Sequence, residues 1–588
     1  MHLIMHGRAV KSRLPSYPSI TPAHLLRPPR SLNSLTGKLP CLPALSSFGA
    51  PPCTSALQFA CPNPSIVHTL SPRLDRRHFH LRRASRRPSL QTVWPARLRN
   101  KFRFPASHPF AAQPRPPPRP PSSPPHGRPP QQPPCLVPRS PPTLTGAMDQ
   151  SIIRISKELS DIQRGSDLAI AVACRDVDVR NVKALIVGPH ETPYEFGFFE
   201  FAIRFNKEYP SKAPNVQCVT TNGGLCRFNP NIYANGKICL SILGTWRGEP
   251  GEEWSSAQGL ESILLSIQSL LSSNPYENEP GFEDANEESD KRMQKAYIEK
   301  IRHETLRISV IQRLESYLGL APDGSRLKDV ETEEVDESSI PFEPFKDLCK
   351  RRFLWYYPSY LAAIQAAKTE VKANQVFSRM PFEAPSHNSM EGRFNYPELE
   401  RRLNNIKAAL DDEPKVWAEE GLAAMAQEST VCVNLQHQFE QVSAAFKRSD
   451  MPHDVALDNG NPFCWVITYF GAPMTNLDGG LLRIRMSFSP RFPDEQPRVR
   501  FETKIFHHHV AEDGTACYSP NPLKREDIKS HIEAIISVLE EEEPAYDPRM
   551  IVNPEATRLY WGKTSDSKKM YNRRLRRSVQ QSMEDFPE

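Results

Sequence analysis

Cys239 lies in the segment NGKICLSIL, and Asn231 stands eight residues before it. A cysteine thiolate is nucleophilic and is also a good leaving group, so it can accept an acyl group from one thioester and pass it on. When an amine attacks such a thioester, negative charge develops on the carbonyl oxygen, and a neutral amide can donate a hydrogen bond there. Residues of these types could carry out acyl transfer, with Cys239 as the nucleophile and Asn231 as a donor to the oxyanion, a brace of the loop, or both.

A cysteine in this setting can also be a buried structural thiol, because free Cys is among the most buried residue types. Three features favour the catalytic interpretation. These are the Asn eight residues earlier, the neighbouring Asn235-Gly236 turn, and a second Cys at the matching place of an internal repeat.

The repeat relates two segments about 280 residues apart. At an offset of 283, Gly197 pairs with Gly480 and Tyr209-Pro210 pairs with Phe492-Pro493; at an offset of 278, Asn231, Gly236 and Cys239 pair with His509, Gly514 and Cys517. Each copy begins with an amphipathic helix, continues in short β-rich runs between Gly and Pro, and closes with an apolar helix. This order predicts two α+β units of about 150 residues each.

Composition divides the chain further. Residues 1–147 hold 31 of the 59 Pro, with 21 Lys and Arg against one acid, and they predict a disordered Pro/Arg-rich leader, a gene-model artefact preceding Met148, or a transit peptide. We favour disorder or artefact. Residues 148–320 should form the first unit and 431–588 the second. Residues 321–430 should form an acidic linker and a helical extension, with helical patterns over 345–376 and 396–410.

The charge balance excludes some functions. The whole chain carries a formal net charge of +6, but residues 148–588 carry −14, which argues against nucleic-acid binding because a phosphate-binding domain needs positive charge on its folded part. The sequence has no run of about 18 apolar residues, so no membrane-spanning helix is expected. The 12 Cys form no CxxC pair, which is typical of a reducing compartment. We expect a cytoplasmic and/or nuclear protein, and we interpret the basic run 568–577 as a solvated helix face rather than a nuclear signal or anion site.

The segment FNPNIYANGKICLSIL, followed by Trp254 and a helix, resembles the active-site signature of ubiquitin-conjugating enzymes. The segments CLSILGTW, NPYENEPGF, IRHETLRISV, RFLWYYPSYL and GRFNYPELERRL extend the resemblance to the large Z-type members of that family, over roughly 148–412. Residues 433–588 resemble the same fold again. The resemblance implies two conjugating domains, each an antiparallel four-stranded meander flanked by helices, joined by a helical extension.

The resemblance implies that Cys239 accepts the carboxyl terminus of ubiquitin or a ubiquitin-like modifier from an activating enzyme. The modifier then passes to a lysine of a protein substrate, usually with a ligase. No cofactor is expected, because the activating enzyme consumes the ATP. Glu279 or Asn278 would stand where the family often carries an acid that orients the lysine, and Asn229 replaces the family's His. The alternative is a non-catalytic scaffold that binds ubiquitin or a partner conjugating enzyme.

In the second copy, Cys517 and His509 occupy the places of Cys239 and Asn231. An imidazole can donate a hydrogen bond, but its charge state and orientation vary. We therefore expect a weak enzyme or, in preference, a non-catalytic domain that binds partners. The run His507–His509 with Cys517 could also be a metal site. Neighbours in an extended segment face opposite sides, however, and no second Cys/His cluster completes a tetrahedral set, so no metal is expected.

Overall fold

The computed structural model describes residues 149–165, 167–327, 341–383, 390–448 and 453–584. The predicted leader and the acidic stretch 329–339 lie outside the described residues.

The first unit is a helix, an antiparallel sheet and two further helices. The sheet has the order β1-β2-β3-β4, and residues of one parity on each strand form its inner face: Ala184 of β2 stands opposite Phe201 of β3, and both are completely buried. The bounds are α1 Gln150–Arg164, β1 Ile170–Arg175, β2 Asp178–Val187, β3 Phe198–Arg204, β4 Asn215–Cys218, α2 Leu260–Leu270 and α3 Glu288–Glu304. The apolar stripe of α2, from Leu260 to Ile267, packs into this core.

The second unit repeats this plan. Its sheet has the order β5-β6-β7-β8, and every neighbouring pair is antiparallel. The bounds are α7 Thr430–Arg448, β5 Asp454–Asp458, β6 Asn461–Phe470, β7 Leu481–Ser487, β8 Arg498–Phe501, α8 Ile528–Glu540, α9 Pro554–Tyr560 and α10 Ser565–Glu584. The predicted α+β class, with two four-stranded antiparallel sheets flanked by helices, is confirmed.

The extension lies against both units. A π-helical stretch, Thr305–Gln312, continues α3 into α4 (Arg313–Leu318), and two long helices follow, α5 (Lys346–Glu370) and α6 (Tyr396–Ala426). These segments cover the outer face of the first sheet, including Leu185, Val187 and Phe198. Helix α6 runs 16 residues beyond the predicted end at 410, because its last turns pack on β6 of the second unit.

Helix α5 contacts both units directly. On one side, the Tyr360 hydroxyl donates to the Phe196 carbonyl at 2.8 Å, and the Tyr356 ring stacks on the Phe196 ring with centroids 4.2 Å apart. On the other side, the Trp355 indole donates to the Ala516 carbonyl at 3.0 Å. Near its start, the buried Asp347 pairs with Arg498 of β8 at 2.8 Å. In the part of the chain that the structure describes, none of the helices combines the length and the apolar character needed to cross a bilayer.

Candidate active site

The loop that carries Cys239 is held to the end of β4. Gly236 sits in the turn before the cysteine with φ +86°, a conformation that favours glycine, and its carbonyl accepts a hydrogen bond from Cys218 N at 2.8 Å. A Cβ atom on Gly236 would lie 2.6 Å from the Cys218 carbonyl oxygen, so only glycine fits. The Asn-Gly turn therefore ties the loop that carries the cysteine to the last strand of the sheet.

Asn231 and Cys239 are joined by two reciprocal hydrogen bonds. Cys239 N donates to the Asn231 carbonyl at 2.8 Å, and Asn231 Nδ2 donates to the Cys239 carbonyl at 3.1 Å. These two bonds tie the two ends of the loop together. An amide nitrogen carries two hydrogens, and among the described residues this bond occupies one of them, which leaves the other for a second acceptor.

Asn229 makes the structural bonds at the position where the family carries His. It is completely buried, and its Nδ2 donates to the Leu270 carbonyl at 2.8 Å and to the Tyr194 hydroxyl oxygen at 3.1 Å. Its Oδ1 accepts from Asn231 N at 2.9 Å. Asn278, one of the two candidates for orienting a lysine, donates inward to the same Leu270 carbonyl at 3.1 Å.

Glu279, the other candidate, belongs to a cluster with Arg227 and Tyr233. Its carboxylate pairs with Arg227 Nη2 at 3.0 Å, and the Arg227 guanidinium carbon lies 4.6 Å from the centroid of the Tyr233 ring. Burial raises the pKa of Glu279, and the Arg227 charge partly offsets that rise. Burial also raises the pKa of the Tyr233 phenol, and so do the charge of Cys239 and a hydrogen bond with its thiol.

The sequence reasoning missed Arg227 and Tyr233. The sequence could have indicated Tyr233, because it stands two residues after Asn231 inside the signature segment. It could not have indicated Arg227, since its partner Glu279 is 52 residues away in the chain. The structure thus brings Cys239, Asn231, Tyr233 and Glu279 into one neighbourhood.

The access to Cys239 is narrow. Only 4% of the residue is exposed. The loop after Cys239 is fastened close to it: the Thr245 hydroxyl donates to the Ile238 carbonyl at 2.6 Å and accepts from Leu240 N at 3.0 Å. The Tyr233 phenol lies beside the thiol, since Cys239 contributes to the raised pKa of that phenol, and an incoming thioester has to pass it.

The second copy keeps the backbone geometry of the first, but its cysteine is completely buried. Cys517 N donates to the His509 carbonyl at 2.9 Å, as Cys239 N does to Asn231. Cys517 has no exposed surface, because α5 lies over it with Trp355 bonded to the preceding residue. Burial raises the pKa of the Cys517 thiol far above its usual value, and burial lowers the pKa of His509 to about 4, so both side chains are uncharged near neutral pH.

The three neighbouring histidines pack as a stack of rings. Ring centroids lie 4.2 Å apart for His507 and His508 and 4.4 Å apart for His508 and His509, and His508 Nδ1 forms a 2.9 Å hydrogen bond with the Tyr571 hydroxyl of α10. Within the described ranges, no group of three or more His, Cys, Asp or Glu is arranged to hold a metal ion. The stack therefore joins α10 to the loop before Cys517.

Comparison with known proteins gives matches to one family. The family model described as "Ubiquitin-conjugating enzyme" matches residues 154–305 and 435–577. The chain is 38% identical over 272 residues to human "Ubiquitin-conjugating enzyme E2 Z", covering 45% of this chain and 67% of that protein. It is 38% identical over 264 residues to the Danio rerio protein of the same name, covering 45% and 70%. Among solved structures, the E2 domain of a Toxoplasma gondii ubiquitin conjugating enzyme is 32% identical, covers 27% of this chain and 97% of its own, and has a TM-score of 0.21.

Proposed function

Because the chain belongs to the ubiquitin-conjugating enzyme family, we propose that it carries ubiquitin or a ubiquitin-like modifier as a thioester on Cys239. The modifier arrives from an activating enzyme and leaves for a lysine of a protein substrate, usually with a ligase. The observation that supports this most directly is the pair of hydrogen bonds between Cys239 and Asn231, which fixes the nucleophile and a hydrogen-bond donor on one short loop. The site needs no cofactor of its own, since the activating enzyme spends the ATP.

The reaction has two acyl transfers. In the first, the Cys239 thiolate attacks the carbonyl carbon of the incoming thioester, the new C–S bond forms, and the sulfur of the activating enzyme leaves with the electron pair. In the second, the lysine amine attacks the same carbonyl carbon, a C–N bond forms, and the C–S bond to Cys239 breaks. The amine proton passes to a base, either solvent or a nearby carboxylate.

Asn231 acts in the second transfer. Its Nδ2 already donates one hydrogen to the Cys239 carbonyl, and the other can point to the oxygen of the thioester as negative charge develops on it. The amide can do this while keeping its hydrogen bond to the Cys239 carbonyl. Bracing the loop and stabilising the oxyanion are thus compatible roles of one side chain.

Glu279 orients the lysine in this proposal. Its carboxylate is fixed by Arg227 and keeps 22% of its side chain exposed, enough to meet an ammonium group at the rim of the site. A carboxylate there attracts the protonated lysine, and burial raises the pKa of Glu279, which makes it a better proton acceptor.

The second unit binds partners and does not carry the modifier. Its thiol is buried under α5 and protonated, so it is neither reachable nor nucleophilic.

The eight cysteines of the described residues are all unpaired, in keeping with our placement of the protein in the reducing cytoplasm or nucleus.

The test is a charging reaction with the full chain, ATP, the modifier and candidate activating enzymes, followed by a non-reducing gel. We expect an adduct that thiols cleave, an oxyester resistant to thiols in Cys239→Ser, and no adduct in Cys239→Ala. Cys517→Ala is the matched control and should charge normally. An adduct of undiminished yield in Cys239→Ala would refute the assignment.

A scaffold is the second candidate, and the 4% exposure of Cys239 is the observation that favours it. A scaffold would bind the modifier or a partner enzyme without covalent capture. It predicts no adduct with any activating enzyme, together with retention of the modifier on the immobilised chain that Cys239→Ala does not change.

A further inference from the structure

A segment of the extension reaches the site of the first unit. Residues 377–383 follow α5, and the carboxylate of Glu383 pairs with Lys300 of α3 at 2.6 and 2.8 Å. Lys300 is completely buried and also donates to the Ser378 carbonyl at 2.9 Å, so the segment is fastened at two points. Met380, between these two points, packs in the core of the first unit. The segment is thereby an integral part of the first unit.

Phe382 lies between the two fastened residues, Ser378 and Glu383, and contacts residues around the site. Its ring packs on Tyr276 and Tyr297 with centroid distances of 5.4 Å each, and on Phe282 at 5.8 Å. Tyr276 and Phe282 lie on either side of Glu279 in the chain. Phe382 therefore supports the stretch that presents the Glu279 carboxylate.

The same ring contacts Arg227. The guanidinium carbon lies 5.8 Å from the centroid of Phe382 and 4.6 Å from that of Tyr233, so the cation faces two aromatic rings. Arg227 also pairs with Glu279 at 3.0 Å and donates to the Pro230 carbonyl at 2.6 Å. With 8% of its side chain exposed, the guanidinium is confined by these four neighbours.

We propose that Phe382 is a positioning residue for transfer to lysine, so that the extension completes the active site of the first unit. This inference rests on the proposed function of Cys239. Phe382 confines Arg227, and Arg227 in turn holds the Tyr233 ring against the Cys239 thiol and the Glu279 carboxylate at the rim. The extension thereby sets the geometry in which the amine attacks the thioester.

The step that depends on this geometry is aminolysis. The lysine nitrogen forms the C–N bond, the C–S bond breaks with its electron pair moving to Cys239 sulfur, and the amine proton passes to Glu279 or to solvent. Loading needs neither the lysine nor Glu279. A displacement of about 1 Å in a reacting group can cost about a hundred-fold in rate, so loss of the Phe382 ring should slow discharge while loading is retained.

The experiment compares Phe382→Ala with the wild type in the full chain. We expect loading of Cys239 within about two-fold of wild type and single-turnover discharge to free lysine slowed by about ten- to a hundred-fold. Phe382→Tyr keeps the ring and should discharge normally. The deficit of Phe382→Ala should grow as the pH is lowered, because an unconfined Arg227 no longer offsets the raised pKa of Glu279.

Phe394→Ala is the matched control for lost packing. Phe394 is a buried extension residue whose ring contacts are Phe377, His303 and Tyr396, none of which belongs to the site. Its rates should match wild type once each variant is corrected for its folded fraction by circular dichroism. Equal slowing in both variants, equal slowing of loading and discharge in Phe382→Ala, or wild-type discharge in Phe382→Ala would each overturn the inference. Absence of a wild-type adduct would instead overturn the proposed function.

Discussion

Replacing Asn229 with Ala tests how the site is held, because this buried amide links the Asn231 backbone to the body of the first unit. The change removes four hydrogen bonds: 2.8 Å to the Leu270 carbonyl, 3.1 Å to the Tyr194 hydroxyl, 2.9 Å from Asn231 N, and a long one of 3.4 Å from Asn278 Nδ2. Leu270 O keeps a 3.1 Å bond from Asn278, and the Tyr194 hydroxyl keeps its 2.7 Å bond to the Phe228 carbonyl. Only the Asn231 N–H therefore loses its partner.

The magnitude follows from these contacts. The three hydrogen bonds of 3.1 Å or shorter, at about 1 kcal/mol each, together with the half-buried Asn231 N–H left unpaired, give a loss of about 3–4 kcal/mol in the free energy of unfolding. The unpaired Asn231 N–H will turn toward another acceptor and will carry its side chain away from Cys239. We therefore expect discharge to lysine to fall by about ten-fold or more, since removing one oxyanion donor costs about a hundred- to a thousand-fold.

Urea unfolding of the full chain measures the first quantity, and single-turnover discharge of the charged enzyme measures the second. Tyr194→Phe is the control. It removes a hydroxyl that bonds Asn229 and Phe228 but leaves the bond from Asn231 N to Asn229 intact, so it should lower stability by about 1–2 kcal/mol and leave discharge unchanged. A loss below about 1 kcal/mol for Asn229→Ala, or full stability loss with normal discharge, would refute the reasoning.

Three further predictions concern both units. Asn231→Ala should load normally and discharge about a hundred-fold more slowly, whereas equal slowing of both steps in the charging assay would show a purely structural role. Cys517 should resist a thiol-specific reagent in the native chain and react measurably faster in Trp355→Ala, which removes part of its cover; equal rates in the two proteins would contradict the sealed geometry. Acid should destabilise the second unit: burial lowers the pKa of His507 to about 3 and of His509 to about 4, so the unfolded chain takes up protons first as the pH falls below about 6.5. The contribution of the neutral histidines to stability is complete above that pH. It falls by up to about 1.4 kcal/mol per pH unit for each His until the pH reaches the folded pKa. Urea unfolding at pH 7 and pH 5 measures this, and His509→Gln should lose less free energy of unfolding between the two pH values than the wild type.

Much of the fold was readable because its information is local. Local patterns indicated the closing apolar helix of each copy, which is α2 in the first unit, and the β-rich runs between Gly and Pro, which include β3 and β7. The repeat then showed that one plan is used twice, which the two sheets confirm. The resemblance to the active-site signature paired Asn231 with Cys239, and it could do so because both lie on one short loop.

The rest depends on contacts between distant segments. Arg227 and Glu279 meet across 52 residues, and Phe382 joins them from the extension, so no local pattern marks them as a group. The cover over Cys517 has the same origin, because the helical pattern of α5 does not show which surface each side of the helix meets. The end of α6 was missed for this reason too: its last turns are held by β6 rather than by their own pattern.

The position of α5 has a consequence for synthesis on the ribosome. One side of the helix meets Phe196 of the first unit, which is already made when α5 emerges. The other side waits for the Ala516 carbonyl, 161 residues later in the chain than Trp355. At about 5–20 residues per second, that delay is roughly 8–30 s, during which the Trp355 side of the helix is open to other apolar surfaces. The nascent chain should therefore depend on chaperones for that interval, and a ribosome stalled between α6 and β8 should present a species prone to aggregation.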